Sequence, residues 1–337
     1  MKNKKNLGRS LLFSIAFIFF LLGCNSKDKD RLIEKHDDFL SITCTTYIQP
    51  DKEDMLTTIY QYAPNTGEVK EIYNFSYTTQ YPLGVFSSND KVVYYTKRDD
   101  SKRDQIFSYN VENKEETQLT TNLRAVNQII PTKEKVFFVA SIDRVLRLGM
   151  LDKQSGIISY WGDEDTNVET IAINPNTEHI YISAFSYSKN REVLEKQFIS
   201  DENKYTMPLF SVYETNYSFT DTRKFLSGHA WIKILMVNMK ENKLIAIYDK
   251  EYNSDEKSKA VAIDVNSQEN EEFNLPPERM NVDGASFSVD GKGLYVTSVV
   301  NDKRGVYYYD FKSKEYTKVF ISEDGFMNNF QLVLNSQ

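Results

Sequence analysis

Phe86-Ser-Ser-Asn-Asp-Lys-Val-Val-Tyr-Tyr-Thr96 and Phe287-Ser-Val-Asp-Gly-Lys-Gly-Leu-Tyr-Val-Thr-Ser298 stand far apart in the chain and have the same pattern. Each reads as a strand, a tight polar turn and a second strand. The turn pairs Asn89-Asp90 and Asp290-Gly291 are among the few that tolerate positive φ in a two-residue hairpin. Three weaker copies share the shape: Ile129-Ile-Pro-Thr-Lys-Glu-Lys-Val-Phe137, Ile173-Asn-Pro-Asn-Thr-Glu-His-Ile-Tyr181 and Val237-Asn-Met-Lys-Glu-Asn-Lys-Leu-Ile245. Anchored on Phe86, Ile129, Ile173, Val237 and Phe287, the spacings are 43, 44, 64 and 50 residues. Such periods fit a repeating unit of four antiparallel strands.

A second hairpin follows each first one in step. Ile59-Tyr-Gln-Tyr-Ala-Pro-Asn-Thr-Gly-Glu-Val-Lys-Glu-Ile72 is the clearest, and counterparts begin near Ile106, Leu148, Leu209, Ala260 and Val306. Six outer hairpins face only five inner anchors. The missing inner strand falls at Phe330-Gln-Leu-Val-Leu334, about one repeat after Phe287. The C-terminal strand is therefore predicted to complete the first unit, whose other strands begin at Phe39. This closure joins the two ends of a ring and removes open sheet edges. The expected fold is all-β: a six-bladed β-propeller of four-stranded antiparallel blades over residues 39–337. Residues Phe86 to Thr121, with Gln118-Leu119-Thr120, resemble the repeat of the TolB-like six-bladed propellers. The resemblance implies architecture and nothing catalytic. It is not to TolB itself, whose additional N-terminal α/β domain has no room in this chain.

The N-terminus carries an address. Lys2, Lys4, Lys5 and Arg9 precede the apolar run Ser10–Leu22, then Gly23-Cys24. A basic start, a short apolar run and a small residue before the cut describe an export signal over residues 1–23. The run is short for a membrane-spanning helix, which takes about 20 apolar residues. Leu21-Leu22-Gly23-Cys24 resembles the lipobox of bacterial lipoproteins. That resemblance implies cleavage before Cys24 and acylation of its sulfur and new N-terminus. The implied location is the extracytoplasmic face of the cell membrane, or the outer membrane of a diderm, because Asn25 differs from the usual Asp retention signal. Residues 24–38 then form the lipidated cysteine and a charged tether.

Composition narrows the function. The chain has 337 residues with a net charge of −7; loss of residues 1–23 removes four bases and no acid, leaving −11. Net acidity argues against nucleic acid, whose phosphates need a basic face. Two cysteines exclude a disulfide scaffold, and Cys44 reads as a buried thiol. Three histidines, His36, His179 and His229, lack the local spacing of a zinc site. No P-loop, nucleophile elbow or dinucleotide fingerprint appears. No cofactor, metal or catalytic residue is assigned, and the domain is expected to be monomeric.

Binding is expected on the face that carries the connections between second and third strands, together with the crossings between blades. The long loops read there are Gln49–Thr57, Lys97–Gln105, Ala184–Pro208, Asp249–Lys259 and Val299–Gly305. Ser188–Phe198 reads as a short helix within the largest, and Asp249–Glu256 as a solvated acidic loop. Trp161, Trp231 and His229 fall at blade junctions on this face; Tyr81, Glu169, Lys233, Asp283 and Asn328 fall where inner strands enter the channel. The leading expectation is a non-enzymatic propeller that binds an envelope protein partner. A carbohydrate or cell-wall binder using the tryptophans is the alternative. A metal-dependent, lactonase-type hydrolase using Glu169, Asp283 and Asn328 ranks third.

Overall fold

The computed structural model describes residues 38–48, 55–77, 81–200, 206–251, 256–277, 280–322 and 324–334; the side chains of 197, 199, 200 and 280–283 fall outside the description as well. The signal sequence, Cys24 and the tether lie outside the described residues. Among the described residues the strands form six four-stranded antiparallel sheets arranged as blades around a ring.

Blade 1 joins β1 (Phe39–Tyr47), β2 (Met55–Ala63) and β3 (Glu68–Ser76) to the innermost strand β24 (Gly325–Val333). Blade 2 is β4 (Gly84–Ser87), β5 (Val92–Arg98), β6 (Asp104–Asn110) and β7 (Glu116–Gln118). Blade 3 is β8 (Val126–Pro131), β9 (Lys135–Ile142), β10 (Val145–Asp152) and β11 (Ile158–Tyr160). Blade 4 is β12 (Thr166–Asn174), β13 (His179–Ser186), β14 (Phe210–Asn216) and β15 (Thr222–Gly228), with helix α1 (Tyr187–Ser200) between its second and third strands. Blade 5 is β16 (Trp231–Asn238), β17 (Lys243–Asp249), β18 (Lys259–Asp264) and β19 (Asn270–Glu272). Blade 6 is β20 (Met280–Phe287), β21 (Gly293–Val300), β22 (Lys303–Asp310) and β23 (Tyr316–Ile321). The C-terminal strand closes the ring as the repeat arithmetic required: β24 pairs with β1 from Phe39↔Val333 to Thr46↔Gly325.

The core is distributed over the seams between blades. Six hydrophobic clusters fill the six seams, one to each. Neighbouring residues on one strand serve opposite seams, because side chains alternate across a sheet. Phe137 packs toward blade 4 and Phe138 toward blade 2. The inner and middle strands are thus covered on both faces, which explains their near-continuous apolar runs. Cys44 is buried in the seam of blades 1 and 6 beside Ile42, and desolvation raises its thiol pKa.

The turns between third and fourth strands show how local sequence sets the blade. In five blades the turn opens on Asn110, Asp152, Asn216, Asp264 or Asp310, whose side-chain oxygen accepts backbone N–H groups two or three residues on. These bonds favour the turn over continued strand. They also hold the Asp152 carboxyl down at about 2 and lower Asp264 and Asp310. Each of the six turns between third and fourth strands has one residue at positive φ, from Lys314 at 60° to Gly67 at 71°.

Two loop expectations change. Val299–Gly305 is a tight hairpin, with Asn301 at φ 50° and Asp302 at φ 62° between Val300 and Lys303. Between Ser87 and Val92, positive φ falls on Lys91 rather than on Asn89 or Asp90, so that connection is longer than a two-residue turn. In the equivalent turn of blade 6, Gly291 takes positive φ at 70°.

Candidate functional site: a polar collar at the channel mouth

The inner strands line a central cavity of about 1740 Å³. Its mouth has a feature that repeats around the ring. In blade 3, Val126 pairs with Ala140 and Gln128 with Val139, which leaves Asn127 without a cross-strand partner. The same skip leaves out Glu169 between Val168 and Thr170, Lys233 between Ile232 and Ile234, and Asn328 between Met327 and Asn329. A bulge of this kind re-aims the extra residue and bends the strand. Four blades thereby set a polar or charged side chain on the cavity wall, and all four residues line it. Blade 6 has a larger irregularity between Met280 and Ala285. Asp283 lies within it, but its side chain is outside the described residues.

Glu169 and Lys233 have different surroundings. Trp231 Nε1 donates to Glu169 Oε1 at 2.7 Å, across the seam of blades 4 and 5. Burial pushes the Glu169 carboxyl above the usual range, and the indole bond offsets this only in part. Lys233 donates to Asp249 Oδ2 at 2.5 Å, and both side chains are almost fully buried. The Lys233 ammonium also sits 5.6 Å from the centroid of the Trp231 ring. Asp249 Oδ1 has no hydrogen-bond partner among the described residues. Asp249 was expected to open a solvated loop; it is instead the last residue of β17 and the buried counter-ion of Lys233.

The neutral collar residues are partly committed to the frame. Thr45 Oγ1 donates to Asn328 Oδ1 at 2.8 Å. Gln128 bonds both the N–H and the C=O of Ile171, at 3.1 and 3.0 Å, and so stitches blade 3 to blade 4. Asn329 does the same for Gly84, at 3.4 and 3.3 Å, between blades 1 and 2. A Cβ on Gly84 would lie 2.3 Å from Ile59 Cδ1, so a larger residue there would push into the seam of blades 1 and 2.

The remaining candidates are dispersed. Tyr81 is 69% exposed and lines the cavity rim. Trp231 also lines the cavity. Trp161 is only 6% exposed, packs in the seam of blades 3 and 4, and donates to Thr222 Oγ1. Trp161 and Trp231 therefore do not assemble one aromatic platform. His229 Nδ1 donates to the Met207 carbonyl at 2.9 Å. Among the described residues no three His, Cys, Asp or Glu side chains converge as metal ligands.

Above the collar, the loop face carries exposed apolar side chains. Of eleven exposed large hydrophobics among the described residues, seven lie there: Tyr47, Ile48, Tyr81, Leu194, Phe198, Leu209 and Val299. Phe198 on α1 is 90% exposed. Sequence reasoning placed α1 but did not find the bulges or Asp249. The one available signal was a polar interruption of each inner-strand apolar run: Lys233 alone, and the pairs Asn127-Gln128, Glu169-Thr170 and Asn328-Asn329.

No protein-family model matches the chain, and no curated protein matches it in sequence. Solved structures match by shape. TolB from Acinetobacter baumannii superposes with a TM-score of 0.59 at 12% identity, covering 88% of this chain and 67% of TolB. A chain of the nidogen/laminin complex gives 0.57 at 14% identity, covering 88% of this chain and 98% of the other. Oligogalacturonate lyase in complex with manganese gives 0.51 at 11% identity, covering 85% and 74%. At such identities the likeness is one of fold, and the chain has the six-bladed β-propeller fold that TolB also has.

Proposed function

We propose that the protein is an extracytoplasmic lipoprotein, anchored through Cys24, whose propeller binds an envelope protein partner through its loop face without catalysis. The observation that carries this reading is the concentration of exposed apolar side chains on that face. Loops gathered on one face of a rigid scaffold are the usual place for binding, and exposed apolar side chains there offer a partner area to bury. β1 starts on the turn face, opposite the loop face that carries Tyr81 and Phe198. The nidogen/laminin complex is an instance of a propeller of this shape in a protein assembly. Carbohydrate or cell-wall binding is the second reading, favoured by the place of Trp231 on the cavity wall. For a metal-dependent hydrolase, one acceptor oxygen of Glu169 and that of Asn328 are already taken by Trp231 and Thr45.

Two outcomes are expected. Cys24→Ser should abolish lipid labelling and leave the precursor uncleaved; normal processing of that variant would refute the anchor. Tyr81→Ser combined with Phe198→Ser should lower co-purification of the partner from solubilised membranes at least tenfold, with an unchanged melting temperature. Full retention would refute docking on the loop face.

A further inference from the structure

Glu169 is the one collar charge with no ion-pair partner among the described residues. Its bulged position sets it on the cavity wall, and among the described residues its one hydrogen bond comes from the Trp231 indole to Oε1. Oε2 has no partner among the described residues and is not among the buried orphan atoms, so it is open to the cavity. The nearby cation, Lys233, is committed to Asp249 at 2.5 Å. That pair is neutral overall, so the Glu169 carboxylate is left as the uncompensated charge beside it. A desolvated carboxylate without a cation costs stability, so its retention on a cavity wall points to a ligand that supplies the charge.

We propose that Glu169 and Trp231 form a binding site for an alkylammonium group at the mouth of the channel. The carboxylate supplies the counter-charge, and the indole supplies a π-face to which a cation is attracted. Lys233 lies 5.6 Å from the centroid of that same ring, and its charge is neutralised by Asp249. A divalent metal fits less well. Calcium takes six to eight oxygen ligands, and no cluster of three potential ligands exists among the described residues. The ammonium has two possible sources, a free amine or a lysine side chain of a bound protein. The site does not depend on which partner docks on the loop face.

The full chain has two tryptophans, so a ¹⁵N-labelled sample gives two indole signals, and the one missing in Trp231→Leu is the reporter. Titration with n-butylammonium should shift the Trp231 signal saturably and leave Trp161 unmoved. Neutral n-butanol should have no such effect. Glu169→Gln, which can still accept the Trp231 N–H, should weaken binding at least tenfold while keeping both indole signals dispersed as in the folded protein. A blocked lysine tripeptide forms the second arm. Tighter binding than butylammonium assigns the site to a protein lysine, and equal or weaker binding assigns it to a free amine. No saturable shift from either probe, equal binding to Glu169→Gln, or an equal effect of butanol would overturn the proposal.

Discussion

Deletion of residues 325–337 is expected to abolish cooperative unfolding, leaving a species with little protection in hydrogen exchange. The deleted β24 is the innermost strand of blade 1 and pairs with β1 along its whole length. Its Met327 and Phe330 are buried in the seam with blade 6. Fully burying a large apolar side chain contributes about 1.5–3 kcal/mol, so these two alone account for about 3–6 kcal/mol. Leu40 and Ile42, now completely buried, would also lose cover, and β1 would become an open edge. A whole domain has a stability of only about 5–15 kcal/mol. The deletion therefore removes an amount comparable with the total. A truncated chain that still melts in one sharp transition near the wild-type temperature would contradict the closure.

Lys233→Met alone should destabilise the protein by about 3–5 kcal/mol, whereas Lys233→Met with Asp249→Leu should return to within about 1 kcal/mol of wild type. The single change strands a carboxylate that is nearly solvent-free and already has one unpartnered oxygen. The double change removes both charges and leaves apolar groups facing Trp231 and the seam of blades 4 and 5. Denaturant melts of the three proteins check this. A single variant as stable as wild type would mean that water reaches Asp249. A double variant as poor as the single would mean that the pair fixes the bulge rather than merely neutralising itself.

The contrast between these two features shows what a chain can state about itself. Ring closure was legible because it depends on local signals repeated in order: Asx-led turns such as Asp264 and Asp310, and apolar strands covered on both faces. The position of Phe330-Gln-Leu-Val-Leu334 then followed from the period. The collar was only half legible. Glu169, Lys233 and Asn328 stood out as polar residues at the start of inner strands, but a bulge is a property of the pairing between two strands. Asp249 was misread because its neighbours Glu251, Asp255 and Glu256 look like a solvated acidic run, while its partner lies on the preceding strand. Gln128 and Asn329 act across seams, on Ile171 and Gly84, which no local window connects. The hairpin at Asn301-Asp302 did have a local signal, since such pairs accept positive φ at both positions.

Docking on the loop face can be read by site-directed photo-crosslinking in the intact envelope. A benzophenone side chain would replace Tyr81 or Phe198 on the loop face, and Ile157 or Val289 on the opposite, turn face. A discrete adduct of one partner protein is expected from Tyr81 and Phe198 and none from Ile157 and Val289. Adducts from the turn-face positions alone, or from none of the four, would contradict it.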